Sequence, residues 1–325
     1  MRAILQDRYG SADVLQLREI DRPVPGEGQV PLRVHSASVN ALDWHLMRAK
    51  PFLVRMGSGF SRPKHPVRGV DVAGTVASVG GGVTRWKLGD AVFGTATGAF
   101  AEYVVAAEGT ITHKPDSITF DQAAAVPIAA FTALEGLRDK AAVKPGQLVL
   151  VNGAGGGVGT FTVQLAKWMG ARVTALTSTE NLERVRALGA DEVLDYTHED
   201  ITRAGRTFDV VVDIGSTHSV SANRRLLNPT GVYVQVGMLP KTGTFGFLGR
   251  MLGLRVQSSF GKRRMLAYMA RGRDEDLAVL RELLGSGQLA PVIDRRFPLE
   301  QVADAIRYVE SGRACGKVVI SVLPS

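Results

Sequence analysis

The chain has 325 residues, 45% of them hydrophobic and 22% charged, a composition typical of a globular protein with a buried core and room for two domains. Its 37 glycines follow no period, which excludes a collagen-like protein and indicates many tight turns. The formal net charge is +8, but the longest basic run is Lys262-Arg263-Arg264, so nucleic acid is not the expected partner.

The lengths of the apolar runs and the number of cysteines indicate the cellular compartment of the protein. The N-terminal run Met1–Leu5 is too short for a signal peptide, and Ala123–Leu134 is shorter than the roughly 18 residues that a membrane span needs. Cys315 is the only cysteine, so no internal disulfide is possible. We therefore expect a cytoplasmic protein with no membrane partner.

The predicted elements change character twice along the chain. Strand-like runs separated by Gly or Pro come first, at Gln29–Ser38, Gly69–Val79, Ala91–Phe93 and Phe100–Val105. Strands then alternate with helices, at Leu148–Asn152, Val158–Met169, Arg172–Leu176, Leu182–Leu188, Phe208–Ile214, Ser219–Leu227 and Gly231–Val236. The tail adds Asp274–Leu284, Val292–Phe297, Leu299–Ser311 and Lys317–Val322. This order predicts an α/β protein with a β-rich domain (1–120 and 262–325) and a doubly wound domain (121–261).

A glycine-rich turn is the strongest motif in the chain. The stretch Leu148–Gly159 runs from an apolar strand into a helix, and its Ala154-x-Gly156-x-x-Gly159 pattern fits the dinucleotide fingerprint, with alanine at the first position. Gly156 would let the backbone approach a pyrophosphate, and Gly159 would let the helix lie close to the strand. The anion would then meet the free amides of a helix that starts near Gly157. The pattern predicts a Rossmann domain that binds a nicotinamide nucleotide.

The end of the second strand bears on the choice of cofactor. NAD sites usually place an acidic residue there, whereas this chain has Thr177, Ser178 and Thr179. A carboxylate would repel a 2′-phosphate by roughly 4 kcal/mol per charge pair at 4 Å. The hydroxyl-rich segment therefore favours NADPH over NADH, although the acidic Glu180 opposes binding of a 2′-phosphate.

Further segments occur in a characteristic order along the whole chain, at Ser38–Asp43, His65–Gly74, Gly89–Val92, Leu188–Asp191, Pro291–Asp294 and Gly316–Val319. With the glycine turn, they make the chain resemble the medium-chain dehydrogenase/reductase family, specifically its zinc-independent, quinone-oxidoreductase-like branch. The resemblance implies a chaperonin-10-like catalytic domain beside a Rossmann nucleotide-binding domain, with the cofactor in the cleft between them. It also implies a homodimer and the reduction of quinones, enones or enals with NADPH.

The resemblance also assigns candidate site residues. Asn40 matches the asparagine beside nicotinamide and substrate, and His45 stands where the family often has tyrosine, so both are candidate catalytic residues. The expected cofactor-binding residues are Asn40, Gly153, Ala154, Gly156, Gly157, Val158, Gly159, Thr177, Ser178, Thr179, Asn181, Tyr196, Val236, Gly237 and Met238.

Structural roles compete with these assignments. The Asn40 amide is also suited to satisfying a loop backbone, and His45 to packing. Asp43 is expected to cap a short helix, and Asp71 to be a buried structural carboxylate. Cys315 is expected to pack in a turn.

A catalytic zinc is not expected. Zinc-dependent relatives use a cysteine near residue 40 and a His-Glu pair near residue 70, where this chain has Asn40 and Val70-Asp71. Such a site needs three protein ligands and an open position. Other donors must therefore polarise the substrate oxygen.

The leading functional prediction is a metal-independent, NADPH-dependent reductase of a quinone or an α,β-unsaturated carbonyl. One alternative is a ketone or aldehyde reductase. An alternative of a different class is a weakly active NADPH-binding sensor or RNA-binding protein. Phe245–Leu254, rich in Gly, Phe and Leu, is interpreted as part of the cleft or the dimer edge.

Overall fold

The computed structural model describes residues 1–215, 218–237 and 244–323. The chain forms two compact units, Met1–Phe131 with Gly272–Ser325 (unit 1) and Thr132–Arg271 (unit 2). The tail therefore joins the N-terminal unit, whereas the sequence predicts breaks after residues 120 and 261 instead of 131 and 271. Within the described residues, no helix has the length and apolar character required to cross a membrane.

Strands supply most of the framework. In chain order they are β1 (Arg2–Gln6), β2 (Leu15–Glu19), β3 (Gln29–Val39), β4 (Asp71–Val76), β5 (Ala91–Thr95), β6 (Tyr103–Ala107), β7 (Ile111–His113), β8 (Leu148–Asn152), β9 (Arg172–Thr177), β10 (Glu192–Asp195), β11 (Phe208–Asp213), β12 (Leu227–Val236), β13 (Arg264–Tyr268), β14 (Ile293–Pro298) and β15 (Lys317–Ser321).

Helices connect or cover these strands. In chain order they are α1 (Ala41–Arg48), α2 (Arg55–Ser58), α3 (Phe120–Ala124), α4 (Pro127–Glu135), α5 (Gly157–Trp168), α6 (Leu182–Ala187), α7 (Val220–Arg225), α8 (Thr244–Ser258), α9 (Asp274–Gly285) and α10 (Val302–Glu310). A π-helical segment, Gly136–Ala141, follows α4.

Unit 1 is built on a mixed sheet of order β14-β15-β3-β4-β5-β7, with β6 also paired to β3. The strand β3 is buried on both faces, with Leu32, Val34 and Ala37 fully enclosed. The antiparallel pairing of β3 with β15 and with β4 places the end of β3 beside the starts of both neighbours. Side chains from three strands therefore meet at one edge of the sheet.

Unit 2 has a six-stranded sheet of order β10-β9-β8-β11-β12-β13, in which every pairing is parallel. Its inner strands read as continuous apolar runs because helices cover both faces, as in Val210–Val212. The chain goes outward from β8 through β9 to β10 and then crosses to β11. The strand order thus reverses between β8 and β11, where open parallel sheets bind ligands at the carboxyl ends of their strands.

Local contacts explain the displaced boundaries. Asp121 in α3 accepts hydrogen bonds from Ser36 (2.5 Å) and Arg296 (2.6 Å), both in unit 1. The strand β13, in contrast, pairs with β12 as the sixth strand of the unit 2 sheet. Residues 121–131 therefore belong to unit 1 and residues 262–271 to unit 2.

Candidate functional site

The glycine turn connects β8 to α5 in unit 2. Gly153 adopts φ +86°, a left-handed conformation that favours glycine. The amides of Gly153 and Ala154 both donate to the carbonyl of Leu176, each at 3.1 Å, which joins the turn to β9. A Cβ atom on Gly159 would lie 2.1 Å from the carbonyl oxygen of Gly153. Gly159 thus permits the close packing of helix on turn that its position in the motif predicts.

Gly156 is in a different situation. It precedes α5 in extended backbone, at φ −81°, and an added Cβ would meet only the Gly153 carbonyl oxygen, at 3.6 Å. The protein itself therefore leaves the space beside Gly156 open. The first amides of α5 lack intrahelical acceptors and carry the positive end of the helix dipole. The turn consequently fits the diphosphate of a dinucleotide.

Close contacts bring several predicted cofactor residues to this turn. A Cβ on Gly155 would lie 2.6 Å from Thr177 Oγ1 and 2.8 Å from Asn181 Cγ. Both of those side chains are buried, and Asn181 Nδ2 donates to Ser178 Oγ at 3.0 Å. Gly155 is a residue that the fingerprint misses, because it occupies a variable position of the motif.

A carboxylate lies beside the segment at the end of β9. Asp195, at the end of β10, accepts hydrogen bonds from the Thr179 hydroxyl and from the Thr197 amide (2.8 Å). The hydrogen bond from Thr179 lowers the pKa of Asp195. The hydroxyl of Thr179 is therefore engaged, and a second acidic group, besides Glu180 of the segment itself, comes from the adjacent strand. Tyr196 follows it, half-exposed, with its amide 3.0 Å from the Thr177 carbonyl oxygen.

A cation also lies near this segment. Arg184 Nη1 donates to Asn181 Oδ1 at 3.4 Å, and the Arg184 side chain is exposed. The sequence pattern does not predict a cation at this place, because Arg184 lies beyond the segment of residues 178–181. The surroundings of the segment that follows β9 thus contain charges of both signs.

Polar side chains also converge at the carboxyl ends of β8, β11 and β12. Asp213 is buried and accepts hydrogen bonds from Asn152 (2.9 Å), Asn223 (3.3 Å) and Tyr233. Arg250 Nη2 donates to the Tyr233 hydroxyl at 2.9 Å, and burial raises the pKa of Tyr233. This cluster ties α7 and α8 to the sheet.

The carboxamide-binding stretch predicted at the end of β12 is only partly described. Val236 is buried, and Gly237 adopts φ +69° at the exit from the strand. Met238 lies outside the described residues.

Unit 1 contains a buried polar cluster around Asn40. Asp71 Oδ2 accepts from Ser38 Oγ (2.7 Å) and Asn40 Nδ2 (2.8 Å), and Asp71 Oδ1 accepts from the Ile128 amide (3.0 Å). The ammonium of Lys317 contacts Asn40 Oδ1 and lies 3.3 Å from Asp71 Oδ2. The expected structural role of Asp71 agrees with these contacts, whereas Lys317 is a residue that the sequence reading missed.

Asp43 caps α1 from within this region. Its Oδ2 accepts the Asn40 backbone amide at 2.7 Å, as expected for a capping carboxylate. Burial raises the pKa of Asp43 to about 7, and the nearby Asp71 carboxylate adds to the shift. Arg68 is buried nearby, and its Nε and Nη2 atoms have no hydrogen-bond partner within the described part of the chain.

His45 lies in α1, and its described contacts are with neighbouring residues of the chain. The residue is buried, its ring stacks on Trp44 with centroids 3.6 Å apart, and its Nδ1 lies 2.8 Å from the Lys50 carbonyl oxygen. These contacts fix His45 in the packing of α1. These contacts agree with the packing role that the sequence analysis weighs for His45, and its catalytic role stays a prediction.

The donor set around Asn40 does not fit zinc. A metal cation there would have to displace the Lys317 ammonium from Asn40 and Asp71, and an amide oxygen with one carboxylate falls short of three ligands. His35, which stacks on Phe120, belongs to a separate contact. Within the described ranges, no group of three or more His, Cys, Asp or Glu side chains is arranged to hold a metal.

Comparison with known families gives two matches on this chain. Residues 26–116 match the alcohol dehydrogenase GroES-like domain, and residues 188–320 match a family described as zinc-binding dehydrogenase. The second description names a metal whose ligands this chain does not supply around Asn40.

Individual relatives cover nearly the whole chain. The chloroplastic quinone-oxidoreductase QR1 of Triphysaria versicolor is 32% identical over 98% of both chains. The chloroplastic NADPH-dependent alkenal/one oxidoreductase of Arabidopsis thaliana is 33% identical, covering 100% of this chain and 80% of its own length. The structure of the quinone oxidoreductase from Coxiella burnetii superposes with a TM-score of 0.88, at 30% identity and 99% coverage of both chains.

Two glycines of the turn give opposite predictions. Gly156→Val should fold normally but weaken NADPH and NADH binding roughly a hundredfold, since the side chain fills the anion approach and removes about 3 kcal/mol of charge-assisted contact. Gly159→Ala should instead lower the melting temperature, because its Cβ collides with the Gly153 carbonyl. Calorimetric titration and thermal melts of both variants test this. A Gly156→Val protein with wild-type dissociation constants would contradict the assigned diphosphate site.

Asp43 predicts a pH-dependent stability. Because its folded-state pKa of about 7 exceeds the ordinary 3.8, the folded state binds more protons, and the Asp43 contribution to stability falls as pH rises from about 4 to 7. Asp43→Asn should therefore become more stable than wild type across that window, by up to about 4 kcal/mol. Melting temperatures at pH 5 to 8 measure the effect, with exposed Asp21→Asn as control. A constant difference between Asp43→Asn and wild type would exclude this assignment.

Proposed function

The chain belongs to the medium-chain dehydrogenase/reductase family, in its quinone-oxidoreductase-like branch, and we propose that it reduces quinones or α,β-unsaturated carbonyls with NADPH and without a metal ion. The observation that carries this proposal is the open space at Gly156 beside the first turn of α5, which suits a diphosphate. The Asn40 cluster supports the chemistry, since it offers an amide instead of a metal to a substrate oxygen.

The reaction transfers a hydride to an electron-poor carbon of the substrate. A bound reduced nicotinamide supplies that hydride, with its electron pair, from C4 of its ring. In an α,β-unsaturated carbonyl, a new C–H bond would form at the β-carbon, the electron pair of the C=C bond would shift toward the carbonyl oxygen, and a proton from solvent would complete the reduction. A quinone would take up the same hydride and one proton from solvent to give the hydroquinone. The oxygen gains negative charge during this step, so a fixed N–H donor such as that of Asn40 stabilises the transition state more than the ground state.

The preference for NADPH is the finer part of the proposal. Ser178, Asn181 and the cation of Arg184 favour a 2′-phosphate, whereas Asp195 and Glu180 oppose it. We therefore propose a preference for NADPH that Asp195 reduces, so that replacing this carboxylate by an amide strengthens discrimination against NADH.

The charge distribution supports binding of an anionic cofactor. Residues 214–273, nearly all of them in unit 2, contain ten Lys or Arg and no Asp or Glu, while the whole chain carries a net +8. The positive charge is thus concentrated in the unit that contains the glycine turn, although the basic residues are dispersed and form no long run. Such a field raises the association rate of an anionic ligand.

We also propose a homodimer and a cytoplasmic location. β13 is the edge strand of the unit 2 sheet as the structure describes it, and an edge strand can pair with a strand of another chain. An exposed apolar stripe on the neighbouring α8 comprises Phe245, Leu248, Leu252 and Val256. The proposed location rests on the single cysteine and the short apolar runs of the sequence, whereas the two plant relatives compared above are chloroplastic.

The activity is tested by following NADPH absorbance with 9,10-phenanthrenequinone, 1,4-benzoquinone, a linear enal, a cyclic enone and a ketone. We expect turnover of a quinone, the enal or the enone, unaffected by EDTA, with kcat/KM for NADPH roughly tenfold above that for NADH. Asp195→Asn should widen that ratio. Turnover of the ketone alone would favour an alcohol dehydrogenase, and tight, salt-sensitive RNA binding without any turnover would favour the sensor.

The dimer is tested by light scattering coupled to size-exclusion chromatography. Wild type should elute with twice the chain mass, while a Phe245→Ser/Leu252→Ser double variant should shift toward the monomer because the apolar stripe is lost. Leu88→Ser, which alters an exposed leucine in unit 1, is the matched control. A monomeric wild type at micromolar concentration would rule out the proposed dimer.

A further inference from the structure

A lysine is fully enclosed beside the candidate catalytic asparagine. Lys317 is 2% exposed and Asp71 is 0% exposed, and lysine is almost never so buried unless it is paired. Lys317 opens β15, Asn40 follows β3, and Asp71 opens β4. Because β15, β3 and β4 are consecutive in the sheet, these three side chains meet at one edge.

The hydrogen bonds fix which way the Asn40 amide points. Lys317 only donates, so the atom that faces its ammonium must be the amide oxygen. Asp71, as a carboxylate, only accepts, so the atom 2.8 Å from its Oδ2 must be the amide nitrogen. A flipped amide would place two donors together and two acceptors together. The pair of opposite charges therefore selects one of the two amide orientations.

This orientation decides what Asn40 can offer a ligand. Its oxygen is committed to Lys317 and one amide hydrogen to Asp71. The second hydrogen on Nδ2 makes no hydrogen bond within the part of the chain that the structure describes. Asn40 keeps 7% of its surface exposed. Asn40 is consequently a donor, not an acceptor, toward any group that reaches it.

Lys317 also strengthens that donor. A cation bonded to the amide oxygen withdraws electron density from the amide, which makes its remaining N–H a better hydrogen-bond donor. Asp71 is held by three further donors, from Ser38, Asn40 and Ile128, and is therefore fixed as an acceptor. A neutral side chain in place of Lys317 would remove the polarisation and one of the two contacts that orient the amide.

We propose that Lys317 is a positioning residue for hydride transfer, holding the Asn40 amide so that its free N–H donates to the substrate oxygen that gains negative charge. The inference rests on the proposed reductase function, and it adds a buried cation acting through an amide in the region where zinc-dependent relatives use a metal. Lys317 need not touch the substrate.

The test compares Lys317→Met, Lys317→Arg and Asn40→Ala with wild type, using the best quinone or enone substrate and saturating NADPH. Lys317→Met should lower kcat roughly tenfold to a hundredfold, with the KM for NADPH unchanged. Lys317→Arg should recover part of that loss, since it keeps the charge. Lys114→Met is the matched control, because Lys114 is hydrogen-bonded to the backbone carbonyls of Pro115 and Ile118 in the same unit.

A double-mutant cycle separates positioning from general damage. If Lys317 acts through Asn40, Lys317→Met should reduce kcat by less than about threefold in the Asn40→Ala background. Equal losses in both backgrounds, or a Lys317→Met enzyme with wild-type kcat, would overturn the inference. In those cases the wild-type enzyme still reduces its substrate. If the proposed function fails instead, none of the substrates in the panel supports NADPH oxidation by the wild-type enzyme.

A spectroscopic measurement covers the case in which Lys317→Met folds poorly. The carbonyl stretch of cyclohexenone bound with NADP⁺ should shift to lower frequency in wild type, because Asn40 donates to it. Asn40→Asp keeps an acceptor for Lys317 but removes the N–H, so the shift should disappear while the protein melts cooperatively. A shift that persists in Asn40→Asp would refute the donor role.

Discussion

The pairing of Lys317 with Asp71 is the interaction on which the candidate chemistry of unit 1 depends. Burying two charges costs several kcal/mol per ion unless each is paired and hydrogen-bonded. Here the carboxylate receives hydrogen bonds from Ser38, Asn40 and Ile128 in addition to the ammonium. The surrounding strands therefore have to keep one register, and the amide of Asn40 has one orientation. A single electrostatic requirement thus links the fold of this sheet edge to its chemistry.

The two units differ in the chemical groups that they present at their candidate sites. Unit 2 presents backbone amides at the start of α5, in a turn where a Cβ on Gly155 or Gly159 would collide with its neighbours. Unit 1 uses charged and amide side chains enclosed at the end of β3. Backbone amides suit a diphosphate, which NADPH and NADH share, whereas an oriented side chain suits a single reacting oxygen.

Asp43 adds a second electrostatic feature to the same region. Its carboxylate accepts only one backbone hydrogen bond at 2.7 Å, and its pKa is raised by burial and by the neighbouring Asp71. Asp71, by contrast, receives hydrogen bonds from four donors, on Ser38, Asn40, Ile128 and Lys317. The capping role of Asp43 and its titration near neutral pH follow from the same position at the start of α1.

The amino-acid sequence determined the parts that depend on local order. The strand Leu148–Asn152, the turn and the start of α5 could be predicted because a short apolar run, glycines at fixed spacing and a helical pattern are adjacent in the chain. The strand β13 and the helix α8 were missed, since basic residues and exposed apolar side chains obscure their patterns.

Only the tertiary structure decided which distant residues meet. Lys317 is 277 positions from Asn40, and Asp195 reaches Thr179 from an adjacent strand. Strand pairing sets these contacts, and pairing depends on the register of whole sheets rather than on any local motif. The glycine turn could therefore be predicted from the sequence alone, while the buried Lys317 and the contact of Asp195 with Thr179 required the fold.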